Sequence, residues 1–153
     1  MEELFRWCAD GDPHDYSETC DTLKCGNAET ELHKVAVSMF ATPEVIRAAH
    51  EWGAELVIVH EPTFYAHYDN PAFDDDPVLK AKKALLERTG LAVWRYHDHP
   101  HCKFKDMISD GETRYLELDG EWIRGKSWAV NRFRLNTPMT PRELLKRIEE
   151  KLG

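Results

Sequence analysis

Leu56-Val57-Ile58-Val59-His60-Glu61-Pro62 is the stretch on which the reading of this chain turns. Four apolar residues in succession, β-branched at three of the four positions, read as a strand buried on both faces. The run stops at His60 and Glu61, two good metal ligands, and Pro62 then removes a ladder donor. Leu91-Ala92-Val93-Trp94-Arg95-Tyr96 repeats the design and ends in His97-Asp98-His99-Pro100-His101. Two parallel neighbours of this kind would bring imidazole and carboxylate groups together at their carboxyl ends, where open α/β sheets place their sites.

The segments between and around these runs support that order. His33 to Phe40 reads as a strand. Thr42-Pro43-Glu44 then supplies an N-cap, a first helical residue and a favourable charge at the positive helix end. Val45, Ile46, Ala49 and Trp52 share a helical face, and Gly53 closes the helix. Asp76-Pro77 opens a second helix with Val78, Leu79, Lys82, Ala84, Leu85 and Leu86 as its apolar face and stems, ended by Gly90. The order β-α-β-α-β gives parallel strands with right-handed crossovers, a doubly wound half-sheet. The fold class is therefore α/β, a mostly parallel mixed sheet flanked by helices.

Elsewhere the signals are more local. Glu2 to Ala9 has helical spacing and is broken by Gly11-Asp12-Pro13. Cys20 to Gly26 reads as a loop, and Thr63 to Asp76 as a surface loop in which His67, Tyr65 and Tyr68 at most line a site mouth. Asp74-Asp75-Asp76 lacks the spacing of a calcium loop and reads as a solvated helix cap. A helix near Met107 and Ile108 is expected to be interrupted near Gly111, with a turn at Asp119-Gly120. Strands are expected at Trp122-Ile123 and Trp128 to Leu135. Thr140-Pro141-Arg142-Glu143 is a capping box, and Leu144, Leu145, Ile148 and Leu152 continue the last helix.

The 153 residues amount to one domain, 1–153, with 42% hydrophobic and 31% charged residues. Mean hydropathy of −0.59 predicts a modest core. A formal charge of −8 argues against a nucleic-acid partner. No apolar run reaches membrane-spanning length, so no membrane partner is expected. Met1-Glu2-Glu3 is unlike a signal peptide, which makes a cytoplasmic location the expectation. Cys8, Cys20, Cys25 and Cys102 form no C-x-x-C pair, and free thiols are expected over a Cys20–Cys25 bridge or soft-metal pair.

His60, Glu61, His97 and His101 are the expected metal ligands, for one or two divalent ions among zinc, manganese, iron and nickel. In an extended chain His97, His99 and His101 would alternate onto one side, with Pro100 able to turn the chain before His101. Asp98, His99 and Asp21 are expected to orient ligands or reach substrate. Such an ion polarises a bound oxygen and lowers the pKa of bound water, the basis of metal-assisted hydrolysis. No general base stands out, so catalytic residues are not assigned.

These residues resemble the Nif-three-like family of dinuclear-metal proteins, many bacterial members of which carry the name GTP cyclohydrolase I type 2. Gly53 to Phe64 is similar to the family's G-A-D-L-I-I-x-H-H-P-x-x-F motif, and Asp21 to Gly26 loosely to its D-N-x-G-L loop. Val35 to Ile46 is similar to its strand and T-x-x-V-I segment, Tyr96 to His101 falls at H-T-N-L-D, and Pro138 to Gly153 resembles the M-T-x-x-E-L helix. By resemblance His60 and His97 are metal histidines. Glu61 replaces the second histidine, His101 the bridging aspartate, and Phe40 a common aspartate. Glu61 is then the carboxylate left to bridge. The family's final H-x-x-x-E pair has no counterpart, which implies a truncated chain or half-protein.

The resemblance implies half of a two-lobed α/β fold and self-association into a homo-oligomer, a hexamer with inward-facing metals. The expected function is a metal-dependent hydrolase acting on a small nucleotide or heterocycle. A non-catalytic metal-binding oligomeric or regulatory protein, and an inactive remnant, are the alternatives.

Overall fold

Capping chemistry sets where the first helix begins. In the computed structural model, which describes residues 19–68, 73–102, 105–123 and 131–153, the Thr42 hydroxyl accepts from Val45 N at 3.2 Å. Helix α1 (Pro43–Trp52) therefore starts at the expected residue and ends at Gly53, whose φ of 80° suits a residue without Cβ. Helix α2 (Pro77–Thr89) is likewise capped by Asp76, whose carboxylate accepts from Leu79 N at 2.8 Å. The two other residues of the acidic run, Asp74 and Asp75, pair with Lys83 and Lys80.

The chain divides into two compact units, residues 19–99 and Pro100–Gly153 among those described. The first holds a four-stranded sheet of β1 (Leu23–Cys25), β2 (Val35–Ser38), β3 (Leu56–Val59) and β4 (Ala92–Arg95), in spatial order β1-β4-β3-β2. The β2, β3 and β4 strands are parallel, with Val59 opposite Arg95 at the carboxyl ends, and β1 is an antiparallel edge. The mostly parallel mixed sheet is thus present.

Three details differ from the sequence reading. Both helices pack on one face of the sheet, where Ile46, Ala49, Leu85 and Leu86 meet Val57, Val59 and Val93. Leu56, Ala92 and Trp94 face the other side with Leu23 and Ile58, and among the described residues no helix of the first unit packs there. Strand β1 lies in the expected loop. Three residues carry no readable periodicity, and pairing with β4 makes them a strand. Gly26 follows because a Cβ there would come within 2.6 Å of Ala92. Third, Val78 is exposed rather than part of the α2 core face.

In the second unit α4 (Met107–Tyr115) runs unbroken through Gly111, its N-cap Asp106 accepting from Ser109 N at 2.8 Å. An isolated glycine lowers helix propensity by only about 1 kcal/mol, which a good cap offsets. Gly120 opens β5 (Gly120–Ile123) rather than making a turn, and β5 pairs antiparallel with β6 (Arg132–Leu135). The expected strand residues Trp128 to Val130, the expected helix Glu2 to Ala9 and Cys8 lie outside the described residues. Helix α5 (Pro141–Leu152) carries the full capping box between Thr140 and Glu143. A five-residue helix, α3 (Asp98–Cys102), follows β4 after Tyr96 and His97. Among the described residues no helix is long and apolar enough to cross a membrane.

Candidate metal centre

Strand register brings the first two candidate ligands together. Tyr96 N donates to Val59 O at 2.8 Å, so the chain leaves β3 and β4 side by side. The His60 and His97 rings then lie 4.6 Å apart between centroids. His60 Nδ1 is 3.1 Å from the Tyr96 carbonyl. A carbonyl only accepts, so Nδ1 carries the proton and Nε2 is the nitrogen suited to a metal. Glu61 is half-buried, and its N–H donates to Met39 O at 2.9 Å.

Asp21 holds the start of α3. One carboxylate oxygen accepts from His97 N at 2.6 Å and Asp98 N at 2.8 Å; the other accepts from His99 N at 2.9 Å. His99 Nδ1 also lies 2.6 Å from that second oxygen. The Asp21 side chain is fully buried, and these contacts cap the short helix from a distant segment. Helix α3 also overturns the expected alternation: residues 98–102 are helical, so His97, His99 and His101 do not line one side of an extended chain. His101, in the second unit, has Nδ1 2.6 Å from the Asp106 carboxylate. Burial opposes ionisation of Asp106, but bonds from Ser109 and His101 outweigh it and hold its carboxyl below the usual range.

A second grouping lies within the first unit. Ligand atoms of Cys20, His67, His97 and Asp98 all fall within 4.8 Å of one another. One Asp98 oxygen accepts from the Thr19 hydroxyl at 2.9 Å and from Cys20 N at 3.0 Å. The other is 3.0 Å from His97 Nδ1 and 3.7 Å from His67 Nε2. Burial would raise the Asp98 carboxyl, but hydrogen bonds from Cys20, His97 and Thr19 hold it well below the carboxylate range. Burial, with the hydrogen bond to Asp98, pushes the Cys20 thiol up to about 12.

His67 stands in this group because its loop is fastened. Arg95, 1% exposed, donates to His60 O at 2.9 Å and to His67 O at 2.7 Å. Lys82 Nζ donates to Thr63 O at 2.7 Å, and Tyr65 OH to Asp76 at 3.4 Å. His67 stays exposed in its loop, as the surface-loop reading has it, and its ring also comes within reach of Cys20, His97 and Asp98. Sequence reasoning weighs Cys20 only as a bridge or soft-metal partner of Cys25, and it passes over Arg95. Two signals are available: Cys20 directly precedes Asp21, and Arg95 is an arginine inside an apolar strand. Cys20, Cys25 and Cys102 are all free thiols, as expected.

Imidazole, thiol and carboxylate together fit a borderline ion such as zinc better than magnesium or calcium, which favour all-oxygen shells. The first unit therefore offers residues that could hold a metal, at the carboxyl ends of parallel strands in a mixed α/β fold.

The family described as Duf34/NIF3 (NGG1p interacting factor 3) matches residues 12–153, and the chain belongs to that family. A curated relative from Clostridium perfringens (strain 13 / Type A), named GTP cyclohydrolase 1 type 2 homolog, is 24% identical over 136 residues. That match takes in 86% of this chain and 51% of the relative, so the chain spans about half the relative's length. Among solved structures, protein ybgI, of unknown function, is similar with a TM-score of 0.75 and 19% identity, over 99% of this chain and 59% of that one. Reduced HcgD from Methanocaldococcus jannaschii is similar with a TM-score of 0.69 and 17% identity, over 97% and 58%. The likeness to these structures shows the shared fold, half of a larger Nif-three-like architecture.

Proposed function

We propose that this chain is a divalent-metal-binding member of its family, and that the ion serves hydrolysis of a small nucleotide or heterocycle. The observation that carries the metal reading is the pair of adjacent parallel strands that end in His60 and His97, with rings 4.6 Å apart. Glu61 adds a carboxylate to the same strand end. The His60 Nδ1–H bond to Tyr96 O fixes its ring, and Asp21 fixes the backbone at His97. A bound divalent ion would supply Lewis acidity for the hydrolysis. The nucleotide reading rests on similarity to the relative named a GTP cyclohydrolase 1 type 2 homolog. Self-association into a homo-oligomer belongs to the same proposal.

Elemental analysis of unchelated protein beside a His60→Ala, His97→Ala double variant tests it. We expect about one ion or more per chain in the parent and loss in the variant. GTP turnover that needs the added ion, with an assembly larger than a monomer by light scattering, would extend the reading to activity. Equal metal content in parent and variant would sink it.

A further inference from the structure

We propose that Cys20, His67, His97 and Asp98 form a second, thiolate-containing site for a zinc-class ion, alongside the His60 position. It goes beyond the function proposed above, because three of its four ligands lie outside the histidine pair on which that reading rests. His97 is common to both.

Geometry and support carry this site together. A tetrahedral zinc with bonds of about 2.0–2.3 Å places its ligand atoms about 3.3–3.8 Å apart. The four atoms here lie within 4.8 Å, so modest side-chain closure around an ion completes the shell. Two contacts are already at that scale, Asp98 to His97 at 3.0 Å and Asp98 to His67 at 3.7 Å. The surroundings hold the ligands. Thr19 and Cys20 N occupy one Asp98 oxygen and turn the other toward both imidazoles. Arg95 pins the His67 carbonyl from the buried end of β4, and the His67 and His97 rings meet edge to face at 5.2 Å. The 3.4 Å Arg95 Nη2–His67 Nδ1 contact is long and yields when Nδ1 takes the proton that an Nε2 ligand requires.

Charge and access fit as well. A carboxylate and a thiolate together neutralise a divalent ion in a half-buried setting. Binding replaces the Cys20 S–H bond with a sulfur–metal bond and releases one proton to solvent, with no change of oxidation state. The His67 side chain is 45% exposed, which gives the ion a way in. Two imidazoles and a thiolate select a thiophilic ion over magnesium or calcium.

Cobalt(II), a spectroscopic stand-in for zinc, supplies the test. The protein is stripped of metal and titrated with cobalt while the sulfur-to-cobalt charge-transfer absorption is followed in the near ultraviolet. We expect the band in the parent and in His60→Ala, and its loss in Cys20→Ser. His67→Ala, at a half-exposed position whose truncation leaves the core intact, should weaken zinc at least about tenfold in a chelator competition. No band in the parent, a full band in Cys20→Ser, or unchanged zinc affinity in His67→Ala would overturn the site. Cobalt bound without the sulfur band, and lost in His60→Ala, would overturn this site while leaving the His60–His97 reading standing. A sulfur band in His60→Ala, with total metal unchanged by that substitution, would do the reverse.

Discussion

Strands β2 to β6 are all four residues long, yet the two units use them differently. All of β4 is buried, and β3 is buried at three positions of four. Strand β6 alternates exposed and half-buried residues, and neither α4 nor α5 has a buried residue. The caps are equally well made in both units. Capping chemistry therefore decides where elements begin, while the sheet with helices packed on it decides where a rigid core forms. The candidate ligands Cys20, His60, His67, His97 and Asp98 all belong to the unit with that core, as a site needing sub-ångström placement requires.

Core truncation should sharpen this contrast most. Leu56→Ala, at a residue with 0% exposure, should cost about 2–5 kcal/mol in urea unfolding. A loss under about 1 kcal/mol would break the comparison. Arg95→Met comes next. It leaves two carbonyls, of His60 and His67, without their donor, at about 1–3 kcal/mol for each one buried. Hydrogen exchange should show the His67 loop loosening more than β3.

Acid acts through Asp98. Its folded-state carboxyl titrates below the ordinary carboxylate value, so its contribution is fully present above about pH 4 and is lost as pH falls through the lowered value. The thermal stability of metal-free protein should drop over that acid range, and Asp98→Asn should flatten the drop. The smallest effect should be the same in both units. Thr42→Ala and Thr140→Ala each remove an N-cap worth about 1 kcal/mol. Amide exchange in α1 and α5 should rise by similar factors; a markedly larger rise in α1 would show that its cap is coupled to the core.

Much of this was legible before any coordinates. Thr42-Pro43, Asp76-Pro77 and Thr140-Pro141 marked three helix starts because proline and a side-chain acceptor leave few other options there. The apolar runs ending at His60 and His97 gave the parallel strands and the placement of those two histidines. What escaped reading depended on pairing or on distant partners. Strand β1 exists because β4 has an edge to fill. The extended alternation at 97–101 failed because Asp21 caps a helix there, and no local signal reports a cap that lies 76 residues away. His67 comes beside His97 and Asp98 with its carbonyl held by Arg95, a tether invisible to periodicity.

The Asp21 carboxylate also has a consequence for timing. It gathers the backbone of residues 97–99 across sequence separations of 76 to 78. Cys20 and Asp98 meet over a similar span. No short fragment of the chain can prearrange these ligands, so loop closure must be paid for by the sheet before they converge. An ion bound among them would lock a scaffold whose long loops the sheet has closed.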